Sequence, residues 1–142
     1  MKLKNTIASL VLISSLIGFP TQLIAEPLKI DTETIPEKIE YYSEQYNVSS
    51  ELMTQIISCE TSGTFDSKIQ SKILYKFSSS KRGIVKGTQE QSYGLAQIHL
   101  PDHPEVTYEQ ATDADFALEF MANELSKENG EIWSCYKIIK GI

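Results

Sequence analysis

A mostly α domain, with one small irregular or β-hairpin excursion, is the fold class that this 142-residue chain predicts. Three observations carry that expectation. Four segments place apolar residues at helical spacing. Three of the four open on residues that cap helices. The stretch 64–91 gives up the periodicity for Ser, Lys, Gly and Thr.

Residues 1–25 stand apart from the fold. Lys2 and Lys4 lead an apolar run over 7–17, Gly18 and Pro20 interrupt it, and Ala25 supplies a small residue before Glu26. That is the layout of a secretory signal peptide, and its removal leaves residues 26–142 as one small domain. No Cys stands at the cleavage point to take a lipid. An uncleaved anchor is the rival reading, because residues 5–25 carry no charge. The interrupting Ser, Thr, Gln, Gly and Pro favour export, to the periplasm or the medium outside, with no membrane contact after cleavage.

Residues 26–33 read as polar and loose. Thr34-Ile35-Pro36-Glu37 then matches a capping box, with Pro36 harmless in the first turn. A helix to about residue 46 follows, placing Ile39, Tyr42 and Tyr46 on one face. Asn47-Val48-Ser49 breaks it, and Ser49 caps a second helix from 50 to about 61, ended by Gly63. Its inward face is Leu52, Met53, Ile56, Cys59 and Glu60. Within 64–91, residues 73–77 and 83–86 are at best brief strands, with Ser78-Ser79-Ser80 and Gly87 as turns. A short helical turn over 95–98 precedes Pro101 and Pro104. A third helix runs from 113 to about 127, started by Thr112-Asp113-Ala114-Asp115, with Phe116, Ala117, Phe120, Met121 and Leu125 inward. Asn129-Gly130 ends it. The last helix, 131 to about 139, aligns Ile132, Cys135, Tyr136 and Ile139.

Bulk charge excludes one class of partner. The chain carries a formal −6, and loss of Lys2 and Lys4 with the leader makes that −8. Binding to a phosphate backbone needs clustered Lys and Arg, and Lys81-Arg82 with Lys86 is too small a cluster, so nucleic acid is not expected. Two cysteines in an exported chain read first as a disulfide between Cys59 and Cys135, or otherwise as two buried thiols. That bridge would require the last helix to pack on the second. His99 and His103 stand four apart, but Pro101 between them argues against a shared helical face, so no metal and no cofactor is expected. Trp133 reads as core. Tyr93, beside Gly94, either stacks on a ligand ring or packs under the loop.

Glu60 is the residue that reads as chemistry. Ile56 lies at i−4 and Met53 at i−7, which puts the carboxyl on the apolar face of its helix. Desolvation there disfavours the charged form and raises the pKa, as a general acid requires. Thirty-two positions later comes Ser92-Tyr93-Gly94-Leu95-Ala96-Gln97-Ile98.

Together with Cys59-Glu60-Thr61-Ser62-Gly63-Thr64-Phe65-Asp66, Ala111-Thr112-Asp113 and Trp133-Ser134-Cys135-Tyr136, this run resembles the soluble lytic transglycosylase family, across roughly residues 36–140. The resemblance implies a goose-type-lysozyme-like fold and cleavage of the β-1,4 bond between N-acetylmuramic acid and N-acetylglucosamine in peptidoglycan. It makes Glu60 the acid/base. Ser92, Tyr93, Gly94, Leu95, Gln97 and Ile98 would line the sugar cleft, with Tyr136 near the catalytic carboxyl. A single Glu then suffices: the substrate's N-acetyl group stabilises the developing cation, and the 6-hydroxyl attacks to leave a 1,6-anhydro end. Substrate assistance of this kind is a recognised exception to the two-carboxylate rule.

The chain departs from the family pattern in places. Thr61 stands where Ser is usual, Ser67 where Pro is common, and Lys137 where Asn follows the Tyr. Two alternatives stay open: a hydrolytic muramidase, and a non-catalytic, disulfide-tied protein that binds glycan or another partner. Peptidoglycan strands are the expected partner, with a secretion or conjugation apparatus as the setting the resemblance suggests.

Overall fold

The helices begin where the sequence supplies caps. The computed structural model describes residues 34–142, all within one unit, Asp31–Ile142. The leader expected over 1–25 and the loose start expected up to 33 lie outside the described residues. Helix α1 spans Ile35–Tyr46. Glu37 reaches back to accept the Thr34 amide at 3.2 Å and its hydroxyl at 2.7 Å. Asn47 closes the helix in the left-handed conformation (φ 51°), which Asn tolerates because its short polar side chain bonds locally. Helix α2, Ser50–Glu60, starts on the Ser49 hydroxyl, which accepts the Leu52 amide at 3.1 Å. Its buried face is Met53, Ile56 and Ile57. Cys59, expected inward, is exposed, and Ile57 takes that place in the core.

The excursion after α2 is irregular but ordered by one axis. Isolated antiparallel bridges join Gln70 to Tyr93, Leu74 to Gln89 and Ser79 to Ile84. Each pair is symmetric about the Lys81-Arg82 peptide, so residues 70–93 fold back as one arm in a single register. The tip is a 3-10 turn, Ser80–Arg82, closed by Gly83 at φ 65°. Tyr75 and Ile84 are the arm's buried hydrophobic residues.

The paired strands begin at the arm's last two residues. Strands β1, Ser92–Tyr93, and β2, Ile98–His99, form a two-stranded antiparallel sheet with Ser92 opposite His99 and Tyr93 opposite Ile98. The helical turn expected over 95–98 is instead the loop of this hairpin. Gly94 and Gln97 bracket it at φ 74° and 45°. A Cβ on Gly94 would lie 1.8 Å from the Ala111 carbonyl oxygen, so the approach admits only glycine.

Helix α3, Tyr108–Ala111, was not expected. Its start is a reciprocal capping box, with the Gln110 amide on the Thr107 hydroxyl (3.2 Å) and the Thr107 amide on Gln110 Oε1 (2.9 Å). Helix α4, Ala114–Ser126, is capped by Asp113, which accepts the Phe116 amide at 2.9 Å. Leu118 and Ala122 join Ala117 and Met121 in its buried face, while Phe116, Phe120 and Leu125 are half-buried. Helix α4 packs on α1, where Asp115 receives Lys38 Nζ at 2.5 Å and the Tyr42 hydroxyl at 3.3 Å.

The last helix is shorter than its periodicity predicts. Gly130–Ile132 is a 3-10 turn, Trp133 is extended (ψ 129°), and only Ser134–Lys140 forms α5. Trp133 makes the break, because its indole donates to the Ala96 carbonyl at 2.7 Å and holds the ring in the core. Ile132, expected inward, is therefore exposed. Cys135 is buried and joins Cys59 in a disulfide that closes a 76-residue separation and ties α5 to α2. The resulting molecule is mostly α, with one small antiparallel sheet. Its core unites Ile39, Met53, Ile56 and Ile57 with Leu95, Ile98, Leu118, Met121 and Trp133. Among the described residues no helix is long and apolar enough to cross a membrane.

Candidate active site

Glu60 is the last residue of α2, and the chain turns sharply after it. Thr61 is fully buried. Its hydroxyl donates back to the Ile57 carbonyl at 2.7 Å and accepts the Phe65 amide at 3.2 Å. Ser62, Gly63 and Phe65 all sit at positive φ, between 52° and 76°. A non-glycine residue in that region costs roughly 1–2 kcal/mol, and such strain gathers at functional sites. Here it turns the backbone away so that the Glu60 side chain faces open space.

That space is a cleft of about 470 Å³ with four walls. The end of α2 gives Glu60 to Ser62, the arm's base gives residues 69–73, and the sheet with its approach gives Glu90, Ser92, Gln97 and His99. The fourth wall is 132–135, brought in by the disulfide.

The Glu60 carboxyl is half-buried, and Oε1 accepts the Cys135 amide at 3.2 Å. Burial holds its pKa above the ordinary value; the Cys135 amide pulls it back down, and the charge of Glu90 pushes it up. The carboxyl also stands at the negative end of α2, which disfavours its ionised form. An acid that keeps its proton at higher pH and opens on a cleft can donate it to a bound leaving group.

The expected site residues divide. Ser92 and Gln97 line the cleft with Glu60. Gln97 is held by its own side chain, which donates to the Gly94 carbonyl at 3.0 Å. The others have structural places. Leu95 and Ile98 are core, and Gly94 is buried against Ala111. Tyr93 is half-buried, stacks edge-on against Tyr108 at 5.0 Å, and accepts Gln70 Nε2 on its hydroxyl at 3.2 Å. Tyr136 lines a separate depression with Asn47, Val48, Leu52 and Leu125, its ring against Gly130. Placement beside Glu60 is thus corrected for Tyr136, because the Trp133 break turns the start of α5 so that Cys135, not Tyr136, meets the carboxyl.

Two further groups line the cleft: Glu90, which the sequence did not single out, and His99, which it considered only as one of a metal pair with His103. Glu90 shares the space with Glu60, its Oε2 accepting the Ser71 hydroxyl at 2.7 Å and its carbonyl accepting Gln70 Nε2 at 3.0 Å. His99 sits in a chain of bonds. The Gln91 amide donates to the Tyr75 hydroxyl (3.0 Å), Tyr75 meets His99 Nε2 (2.8 Å), and Nδ1 meets Asp102 Oδ2 (2.8 Å). Arg82 at the arm's tip bonds the same carboxylate, and it is the main cause of the low pKa of Asp102. With Asp102 ionised as acceptor, Nδ1 carries the proton and Nε2 accepts from Tyr75. The chain fastens the arm along the cleft. Among the described residues no cluster of three or more His, Cys, Asp or Glu is placed to hold a metal ion.

Comparison with protein-family models, curated proteins and solved structures finds no match.

Proposed function

We propose that this chain is an exported peptidoglycan lytic transglycosylase with a lysozyme-like fold, using Glu60 as its one acid/base. The observation that carries the reading is the half-buried Glu60 carboxyl, disfavoured as an anion, at the end of a helix and opening on a cleft. The motif resemblance over Glu60, Ser92 and Gln97 points to the same chemistry. Glu60 protonates the glycosidic oxygen as the bond to the muramic acid anomeric carbon breaks. The substrate's N-acetyl oxygen stabilises the positive charge that develops there. Glu60, now a carboxylate, accepts the proton of the 6-hydroxyl, whose oxygen closes on the anomeric carbon and gives the 1,6-anhydro end. The Cys135 amide, on Oε1, fixes the carboxyl's direction in both steps. Local opening of the wall for a secretion or conjugation apparatus is the role this activity suits.

Digestion of purified sacculi, read by mass spectrometry, is the test. The parent protein should release ends lighter by one water than hydrolysed ends, and Glu60→Gln should release none. Equal digestion by both proteins refutes the acid assignment. Glycan binding with no digestion by either supports the non-catalytic alternative.

Glu90 favours a second reading, a hydrolytic muramidase. Two carboxylates in one cleft are the usual equipment for glycoside hydrolysis, one as acid and one to activate water or attack. Hydrolysed ends that disappear in Glu90→Gln would select it over the lytic route.

A further inference from the structure

The arm concentrates cations and exposed apolar side chains on one short stretch. Between Asp66 and Glu90 the chain has no acidic residue, yet it holds Lys68, Lys72, Lys76, Lys81, Arg82 and Lys86, six of its 13 basic residues. All 19 carboxylates lie outside that stretch. The same stretch exposes large apolar side chains: Ile73 is 61% exposed, Leu74 56%, Phe77 53% and Val85 58%. Single exposed hydrophobes are ordinary, but four on one short arm, set among cations, are not.

The fold explains which side they occupy. Tyr75 and Ile84 point into the body, and Arg82 is held by Asp102. Leu74, Lys76 and Val85, the neighbours of those buried residues, are exposed. Lys72, Lys76, Lys81 and Lys86 are all exposed. The exposed outer surface of the arm thus interleaves lysines with hydrocarbon, and residues 67–89 supply no carboxylate of their own.

We propose that this outer face docks on an anionic lipid bilayer. A bilayer accepts cations at its phosphates and hydrocarbon a few ångströms deeper, so the two kinds of side chain need no matching pocket. Lysine suits the place, since its stem lies along apolar surface while its ammonium stays at the headgroups. The net charge of the whole chain is negative, which opposes general attraction to anionic lipid and leaves contact to a local cationic stretch such as the arm. This departs from the expectation that residues 26–142 meet no membrane. Lys72 and Ile73 also line the cleft, so docking would hold the cleft beside the lipid surface. The proposal does not rest on the catalytic reading.

The test is co-sedimentation with vesicles of equal parts phosphatidylglycerol and phosphatidylcholine, against vesicles of phosphatidylcholine alone. The protein is taken as cells export it, with its amino terminus read by mass spectrometry. Parent and variants share that terminus, so their difference reports the arm. The parent should bind the anionic vesicles and release with rising salt. Lys76→Gln with Lys81→Gln and Lys86→Gln should weaken binding by about ten-fold or more, and Phe77→Ser with Leu74→Ser should weaken it at low salt. These side chains are exposed, and an unchanged melting temperature confirms that each variant is folded. Binding that is absent, equal on neutral vesicles, or untouched by the lysine changes overturns the proposal. So does a lysine variant that loses binding to sacculi, or loses self-association, while vesicle binding persists, because the arm then serves wall polymer or a second copy.

Discussion

Replacing Cys59 and Cys135 together by Ser tests how the cleft is held. The bridge closes a separation of 76 residues. For a loop of that length the chain-entropy relation gives about 4.5 kcal/mol of stabilisation through the unfolded state. A loss of that size is a large part of the whole for a domain this small. Trp133 is the chain's one tryptophan, is buried, and lies two residues from Cys135, so its emission follows the region the bridge secures. Urea titration of parent and double variant, read by that emission, should lower the midpoint and raise the slope, since an unlinked denatured chain exposes more surface. Below the midpoint the variant should also digest sacculi more slowly, because the Cys135 amide that orients Glu60 is no longer tethered beside it. A loss within about 0.5 kcal/mol, the range of ordinary surface changes, with digestion unaltered, would refute the view that this bridge builds the site.

Three further outcomes follow from the same geometry. Because burial raises the folded pKa of Glu60, the native state holds an extra proton above the unfolded pKa, and that stabilisation is lost as pH rises through the folded value. The melting temperature of Glu60→Gln should therefore gain on the parent as pH rises; a difference independent of pH contradicts it. Glu90→Gln removes a negative charge that pushes the Glu60 pKa up, so the alkaline limb of the cleavage profile should move to lower pH, and an unmoved limb dismisses the coupling. Gly94→Ala should cost about 2–5 kcal/mol in urea unfolding, from the left-handed backbone and the collision with Ala111. Gly63→Ala, at φ 76° with nothing near the added Cβ, should keep only the backbone part, and equal losses would exclude the steric account.

What the sequence disclosed tracks how local each cause is. Thr34 with Glu37, Ser49, and Asp113 act within one turn, and the helices they start were legible. Thr107 with Gln110 is the same signal and marks α3, but its helix has only four residues, Tyr108–Ala111, and offers no apolar period to notice. The last helix misled because Ile132, Cys135, Tyr136 and Ile139 keep a faultless spacing. The break at Trp133 comes from a bond to Ala96, 37 residues away. The hairpin over 92–99 was hidden in the same way, since Gly94 takes its shape from contact with Ala111. At the site, Glu60 and the pairing of Cys59 with Cys135 could be read directly from the chain. Glu90 could not, because only the folding back of the arm carries it to the cleft.

The mirror arrangement of the arm about Lys81 and Arg82 has a consequence for how such a chain can vary. A residue inserted on one side alone slips every pair beyond it and turns Tyr75 or Ile84 outward. Matched additions on both sides lengthen the arm and leave its faces as they are. Lineages carrying this fold should therefore differ in arm length by even steps, growing or shrinking outward from the bend while Gln70 and Tyr93 stay in place.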